Sequence, residues 1–156
     1  MVSVGVNDGK ISNADYVLDH LRDFVDSEDI YKVSLLLSVN SGTVSNWLDR
    51  KTMMNLKTVV KIGDLMGMSV AEMMVRPGVE TEWYREADVK YLALNLDNYV
   101  EELCESKAYM AHRLGIAKST LQAYMYGGTK PRLPMLQKMA DVLDVEVADL
   151  FLPVEE

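Results

Sequence analysis

Residues 116–151, IAKSTLQAYMYGGTKPRLPMLQKMADVLDVEVADLF, fall without a gap on residues 39–74, VNSGTVSNWLDRKTMMNLKTVVKIGDLMGMSVAEMM, when the chain is shifted by 77. The register pairs Val39 with Ile116, Thr43 with Thr120, Val44 with Leu121 and Trp47 with Tyr124. Further along it pairs Leu56 with Leu133, Ile62 with Met139, Met66 with Leu143, Val70 with Val147 and Ala71 with Ala148. Apolar positions stay in phase throughout, and self-similarity at a fixed period marks repeated supersecondary units.

The segment ahead of this stretch repeats at a shift of 75. Tyr16, Val17, Leu21, Phe24 and Val25 meet Tyr91, Leu92, Leu96, Tyr99 and Val100, a helical face in both copies. The two-residue slip falls in a connection, where insertions cost little entropy. The chain therefore divides into two halves, 1–77 and 78–156, joined near Pro77-Gly78. Five helices are expected in each: 13–26, 29–36, 41–49, 55–66 and 70–75, then 86–103, 106–113, 118–126, 133–142 and 146–151. Asp29 and Ser106 are expected N-caps, since their side-chain oxygens can accept from free first-turn amides. VSVGV (2–6) and VETEWY (79–84) alternate and are expected to pair as a short central antiparallel β-ribbon.

Composition bounds the function. The chain has 156 residues, 49% hydrophobic and 26% charged, with a formal charge of -8. Such a balance argues against a non-specific nucleic-acid coat or an anionic-membrane binder. One cysteine, Cys104, and two histidines, His20 and His112, offer neither a disulfide framework nor a metal cage. No metal or other cofactor is expected. Neither a membrane span nor a signal peptide is evident, so a cytoplasmic protein is expected. No carboxylate pair, nucleophile triad or phosphate-cradling glycine loop is present, so an enzyme with a small-molecule substrate is not expected.

The charge is unevenly spread. Residues 30–63 hold Lys32, Arg50, Lys51, Lys57 and Lys61 against Asp49. Residues 107–140 hold Lys107, Arg113, Lys118, Lys130, Arg132 and Lys138 with no acid. These windows are +4 and +6, leaving -18 for the rest of a chain that totals -8. Local cations, rather than a basic total, are what phosphate neutralisation requires.

Met110-Ala111, Gly115-Ile116, Ser119-Thr120-Leu121, Gly127, Pro131, Leu143, Val145 and Leu150 resemble the phage repressor/Cro (Xre) helix-turn-helix pattern. The first half keeps the spacing but departs at Ser34, Ser38, Arg50 and Met54, where the pattern has small alanine, turn glycine, loop glycine and loop proline. Its recognition helix opens with Asn40, a good N-cap, where the second half has Ala117, a poor one. The resemblance implies a mainly α fold of two tandem five-helix helix-turn-helix domains and binding to double-stranded DNA. In that family the recognition helix enters the major groove. Matching base-edge candidates are Ser41, Gly42, Ser45 and Asn46 in the first half, and Lys118, Ser119, Gln122 and Ala123 in the second. Asn and Gln can pair with adenine, Lys with guanine and Ser with either, while Ala can touch a thymine methyl. Arg50, Lys51, Lys130 and Arg132 are candidate phosphate contacts, with Lys107 and Tyr126; the place matching Lys107 is Ile30 in the first half.

Several residues have ordinary readings. The eleven methionines fit a gap-filling core, as do Trp47, Tyr124 and Cys104. His112 is expected to be solvent-exposed, and Asp19, Asp23, Asp26, Glu101, Glu102 and Glu105 to be solvated helix faces. One chain with two recognition helices forms an internal pseudo-dimer that acts as a monomer, with regulatory or transfer proteins as further candidate partners. Its layout is similar to internal-dimer DNA-binding regulators of Gram-positive conjugative plasmids. The alternative is a protein-binding module, such as an anti-repressor, that has lost DNA binding.

Overall fold

The computed structural model describes residues 10–103, 106–126 and 128–154. Among them run eight α-helices: α1 Tyr16–Glu28, α2 Ile30–Leu37, α3 Ser41–Leu48, α4 Leu56–Met66, α5 Leu92–Leu103, α6 Lys107–Leu114, α7 Lys118–Met125 and α8 Leu133–Leu143. Each half thus carries four α-helices followed by a 3-10 turn, Glu72–Met74 or Val147–Phe151. A fifth α-helix was expected at both places. These turns bury Met73, Met74, Val147, Ala148, Leu150 and Phe151, with Glu72 buried beside them and Asp149 half-buried, which leaves little polar face for an amphipathic helix. The first helix of the second half is also shorter than the expected 86–103: a 3-10 turn, Val89–Tyr91, precedes it.

The expected β-ribbon is corrected. Its segment 2–6 lies outside the described residues, and 79–84 is no strand. Pro77-Gly78 turns the chain there, with Gly78 at φ 91°. Residues Glu82–Tyr84 then close a 3-10 turn in which the Tyr84 amide donates to the Thr81 carbonyl at 2.8 Å. Burial does not follow the alternation of VETEWY: Val79 and Tyr84, five residues apart, pack inward, while Trp83 faces solvent with Glu80 and Glu82. Among the described residues β-pairing amounts to one isolated antiparallel bridge, Ser12 with Val75.

Both expected N-caps are made. Asp29 Oδ1 accepts from the Tyr31 amide at 3.1 Å, and Ser106 Oγ accepts from the Tyr109 amide at 3.0 Å. Asn40 caps α3 through the Thr43 amide at 2.8 Å, whereas Ala117 leaves α7 without a side-chain cap. Ser38 adopts the left-handed conformation at φ 59°, as Gly115 does at φ 72°, so a serine carries the turn that the second half gives to glycine. Ser34 is buried and donates its hydroxyl to the Ile30 carbonyl at 2.7 Å, which lets a polar side chain sit at the helix contact.

Many bonds recur at the sequence period. Lys61 Nζ donates to the Leu37 carbonyl at 3.1 Å, and Lys138 Nζ to the Leu114 carbonyl at 2.9 Å. The Lys51 amide donates to the Asn46 carbonyl and the Gly128 amide to the Ala123 carbonyl, both at 2.9 Å. Asn13 N–H meets Met74 C=O at 2.8 Å, as Asp88 N–H meets Phe151 C=O at 3.0 Å. Where His20 Nε2 lies 2.8 Å from the Val75 carbonyl, Asn95 Nδ2 donates to the Leu152 carbonyl at 2.9 Å and to that of Leu150 at 2.8 Å. Two different side chains therefore tie the first helix of each half to the segment that ends it.

A single buried core runs through both halves, from Val17 and Leu21 to Leu150 and Phe151. The segment before α1 crosses to the second half. Ile11 and Ser12 donate their amides to Glu146 at 3.2 and 2.9 Å, the Ser12 hydroxyl adds a further bond to the same carboxylate, and the Ala14 amide donates to Gln137 Oε1 at 2.8 Å. In the other direction Ser69 Oγ donates to the Tyr84 carbonyl at 2.7 Å, and Thr81 Oγ1 donates to Glu72 Oε2 at 2.7 Å. Buried amides and hydroxyls thus find acceptors across the junction, which removes the penalty of orphaned polar groups.

Candidate nucleic-acid interface

Helices α3 and α7 each bury one row and present another. Val44 and Trp47 of α3, and Leu121 and Met125 of α7, point into the core, while Tyr124 is half-buried against it. Residues four apart share a helix face. Ser41 with Ser45 and Gly42 with Asn46 therefore form two rows along α3, and Lys118 with Gln122 and Ser119 with Ala123 form two along α7. Lys118 and Ser119 are exposed at the head of α7, with Gln122 and Ala123 half-buried one turn on. On α3, Gly42 is exposed and Ser41, Ser45 and Asn46 are half-buried. Short side chains at this face let a helix backbone approach a surface closely.

Around α7 the expected phosphate contacts gather as cations and a phenol. Lys107 Nζ donates to Tyr126 Oη at 2.7 Å. The same ammonium is 5.1 Å from the ring centroid, so it meets the hydroxyl end of the ring rather than its face. That hydrogen bond holds the Lys107 pKa above the ordinary lysine value, and Asp97 and Glu101 act in the same sense. Tyr126 is 64% exposed, which leaves the pair open to an incoming phosphate. Arg113 lies over the Tyr109 ring, 5.8 Å from its centroid, and His112 is exposed beside it, as expected.

The equivalent surface of the first half has other chemistry. Ile30 and Asp49 stand where Lys107 and Tyr126 stand, 77 residues on. Leu35 and Leu36 replace His112 and Arg113, and Leu35 is 80% and Tyr31 70% exposed. Sequence reasoning overlooked this apolar face, although YKVSLLL carries it in plain letters. Arg22, another residue passed over, donates to the Leu48 carbonyl at the end of α3 at 3.3 Å.

The loops leaving the C-terminal ends of α3 and α7 meet. Arg50, Lys51, Thr52, Met53, Met54 and Asn55 line one cleft with Arg132. A neighbouring cleft of about 360 Å³ brings Leu56, Lys57 and Val60 together with Val89 and Lys130. Arg50 and Lys51 of the first half are therefore brought to Arg132 of the second, and Lys130 to Lys57, which sequence reasoning had not singled out, while Lys107 and Tyr126 line neither cleft. Arg50 is held at the left-handed φ of 61° and lies 3.4 Å from Asp15, an exposed ion pair of little energy that a phosphate could displace. Lys61 and Lys138, counted among the basic windows, are instead spent on helix-end carbonyls.

Among the described residues no group of His, Cys, Asp and Glu could hold a metal ion, and no helix is long and apolar enough to cross a membrane. Cys104, Glu105 and Gly127 lie outside the described residues. Residues 106–150 match the sequence profile of a helix-turn-helix family. They span α6, α7, α8 and most of the closing 3-10 turn, so this part of the chain carries a helix-turn-helix domain, a DNA-binding class. No curated protein and no solved structure matches the chain.

Proposed function

We propose that the chain is a double-stranded DNA-binding regulator of the cytoplasm, a transcriptional repressor or an accessory protein of plasmid transfer or another mobile element. It reads the major groove with one recognition helix per half, α3 and α7, as an internal pseudo-dimer of domains 1–77 and 78–156. The observation that carries this reading is the helix-turn-helix match at 106–150, with Lys118 and Ser119 exposed at the head of α7. The second helix-turn-helix, 29–74, is supported by the main-chain bonds that recur at a spacing of 77. Bound at a promoter or transfer origin, the protein blocks polymerase or recruits partners.

Salt titration of duplex binding tests the reading. A groove reader loses affinity steeply as salt rises, with a log–log slope corresponding to about 4 to 8 phosphate contacts. Replacing Lys118 and Arg132 with Ala weakens duplex binding; unchanged affinity would reject the face assigned here. A second reading, a protein-binding helix-turn-helix module, is favoured by the exposed Tyr31, Leu35 and Leu36 on α2. Failure to bind any duplex at low salt would select it.

A further inference from the structure

We infer that the two halves read an inverted rather than a direct repeat, and that cations from both halves grip the backbone of the spacer between its arms. The inference rests on the DNA-reading function proposed above. Ala14, ahead of α1, lies against α8 in a cleft with Leu133, Pro134 and Gln137. Val89, the residue 75 positions on, lies against α4 in a cleft with Leu56, Lys57 and Val60, which are the counterparts of those three at the 77-residue shift. The first half therefore offers its leading segment to the fourth helix of the second, and the second half does the same in return.

The polar contacts are similarly mutual. The 10–12 segment bonds to Glu146, while Tyr84 of the corresponding connection bonds to Ser69, the counterpart of Glu146. The two closing 3-10 turns, Glu72–Met74 and Val147–Phe151, also pack on each other. Head-to-tail stacking would use one patch from each half, and its contacts would not be returned. Returned contacts, with one element meeting its own counterpart, require an approximate two-fold axis. Recognition helices related by such an axis meet half-sites of opposite polarity.

The loops that follow α3 and α7 flank that junction, so the C-terminal end of each recognition helix faces the other half. Lys51, Lys57, Lys130 and Arg132 are exposed there, with Arg50 beside them. Duplex running between the two arms passes over this cluster, and its phosphates are the anions within reach. The cations hold the spacer without reading its bases. The arms themselves differ, because Ser41, Gly42 and Asn46 face Lys118, Ser119 and Ala123 at matching places.

The test uses the full chain. Binding-site selection on random duplexes yields the motif, and its two arms are then rebuilt as inverted and as direct repeats at the same centre spacing, about 10 base pairs. The inverted arrangement should bind at least about tenfold more tightly, the cost of losing one or more base contacts. Equal or tighter binding to the direct repeat, or selection of a single arm, would overturn the inverted reading. No binding to any duplex at low salt would instead remove the DNA-reading function on which it rests. For the spacer grip, Lys57→Ala with Lys130→Ala should lower the salt slope by about 0.9 per cation while the selected arms and the helical content stay the same. An unchanged slope, or altered arms, would refute the grip.

Discussion

At Gly63, in the middle of α4, a Cβ would lie 2.6 Å from the Met68 carbonyl oxygen and 3.3 Å from the Met73 side chain. A glycine inside a helix is ordinarily about 1 kcal/mol worse than alanine. Here the chain leaving α4 folds back so closely, with the Met68 amide on the Gly63 carbonyl at 2.7 Å, that alanine has no room. Gly63→Ala should therefore destabilise the protein by about 1–3 kcal/mol in urea denaturation, the range for overpacking. A gain in stability would contradict this packing. Its counterpart Ala140 accepts the Val145 amide at 3.0 Å, a looser closure that accommodates a methyl group. Tyr84 offers a second test at this scale. Its hydroxyl donates to Asp149 Oδ1 at 2.6 Å, and burial, then Asp149, pushes the phenol far above its usual range. Burial also raises the Asp149 carboxyl, with the Tyr84 hydrogen bond pulling the other way. Removing that donor in Tyr84→Phe leaves a half-buried carboxylate short of a partner, at a cost of about 1–2 kcal/mol at neutral pH. Asp149 becomes neutral as pH falls through its raised pKa, so the penalty should shrink in acid and be full above it. A raised phenol pKa means that Tyr84 stabilises the fold below pH ~10 and loses this as pH climbs through the higher folded value. The Phe variant should lack that alkaline loss. Denaturation midpoints of both proteins across pH would check both limbs.

Among the elements, the two recognition helices differ at the residue that caps them. Asn40 Oδ1 accepts from the Thr43 amide and hydroxyl, at 2.8 and 3.1 Å. Ala117 has the extended backbone of a cap, φ -71° and ψ 149°, but no acceptor. Asn40→Ala should cost about 1 kcal/mol, and Ala117→Asn should raise the stability of the protein by about as much. Thermal melts of the two variants should move in opposite directions; a shift in the same direction would contradict the cap assignment. This contrast was legible in the sequence, as were the eight helices and their phase, because caps and 3.6-residue periodicity are local signals. What the letters could not convey was direction. Lys61 and Lys138 add charge to the basic windows, yet their ammonium groups point at Leu37 and Leu114 carbonyls. The strand expected at 79–84 failed because the Pro77-Gly78 turn and the 3-10 turn after it bury Val79 and Tyr84, five residues apart, a spacing that no two-residue pleat provides. The closing helices failed because near-complete burial, rather than amphipathic patterning, shapes those segments. Of the candidate site residues read from the letters, Lys118, Ser119 and Tyr126 lie exposed, and Lys107 is bonded to Tyr126. The letters could not tell that Arg132 would share a cleft with Arg50 and Lys51, since they lie on different halves.

Across the whole molecule, the junction between halves decides how the chain unfolds. The core is continuous from Val17 to Phe151, and the segment before α1 places its buried Ser12 on Glu146 of the other half. Neither half can open without stripping apolar surface and amide acceptors from its neighbour. Coupling of this kind makes unfolding all-or-none, whereas two independent domains would melt separately. Calorimetry should show one transition, with calorimetric and van't Hoff enthalpies in agreement. Glu146→Ala sharpens the test, because it deprives the Ile11 and Ser12 amides and the Ser12 hydroxyl of their acceptor while leaving α1–α8 intact. Losing acceptors for these groups should cost roughly 2–4 kcal/mol. The single transition should move to lower temperature in one piece, as both halves lean on the same contact. Two resolved transitions in the parent protein would mean that the junction carries too little free energy to couple them. Two transitions in the variant alone would show that Glu146 supplies most of the coupling between the halves.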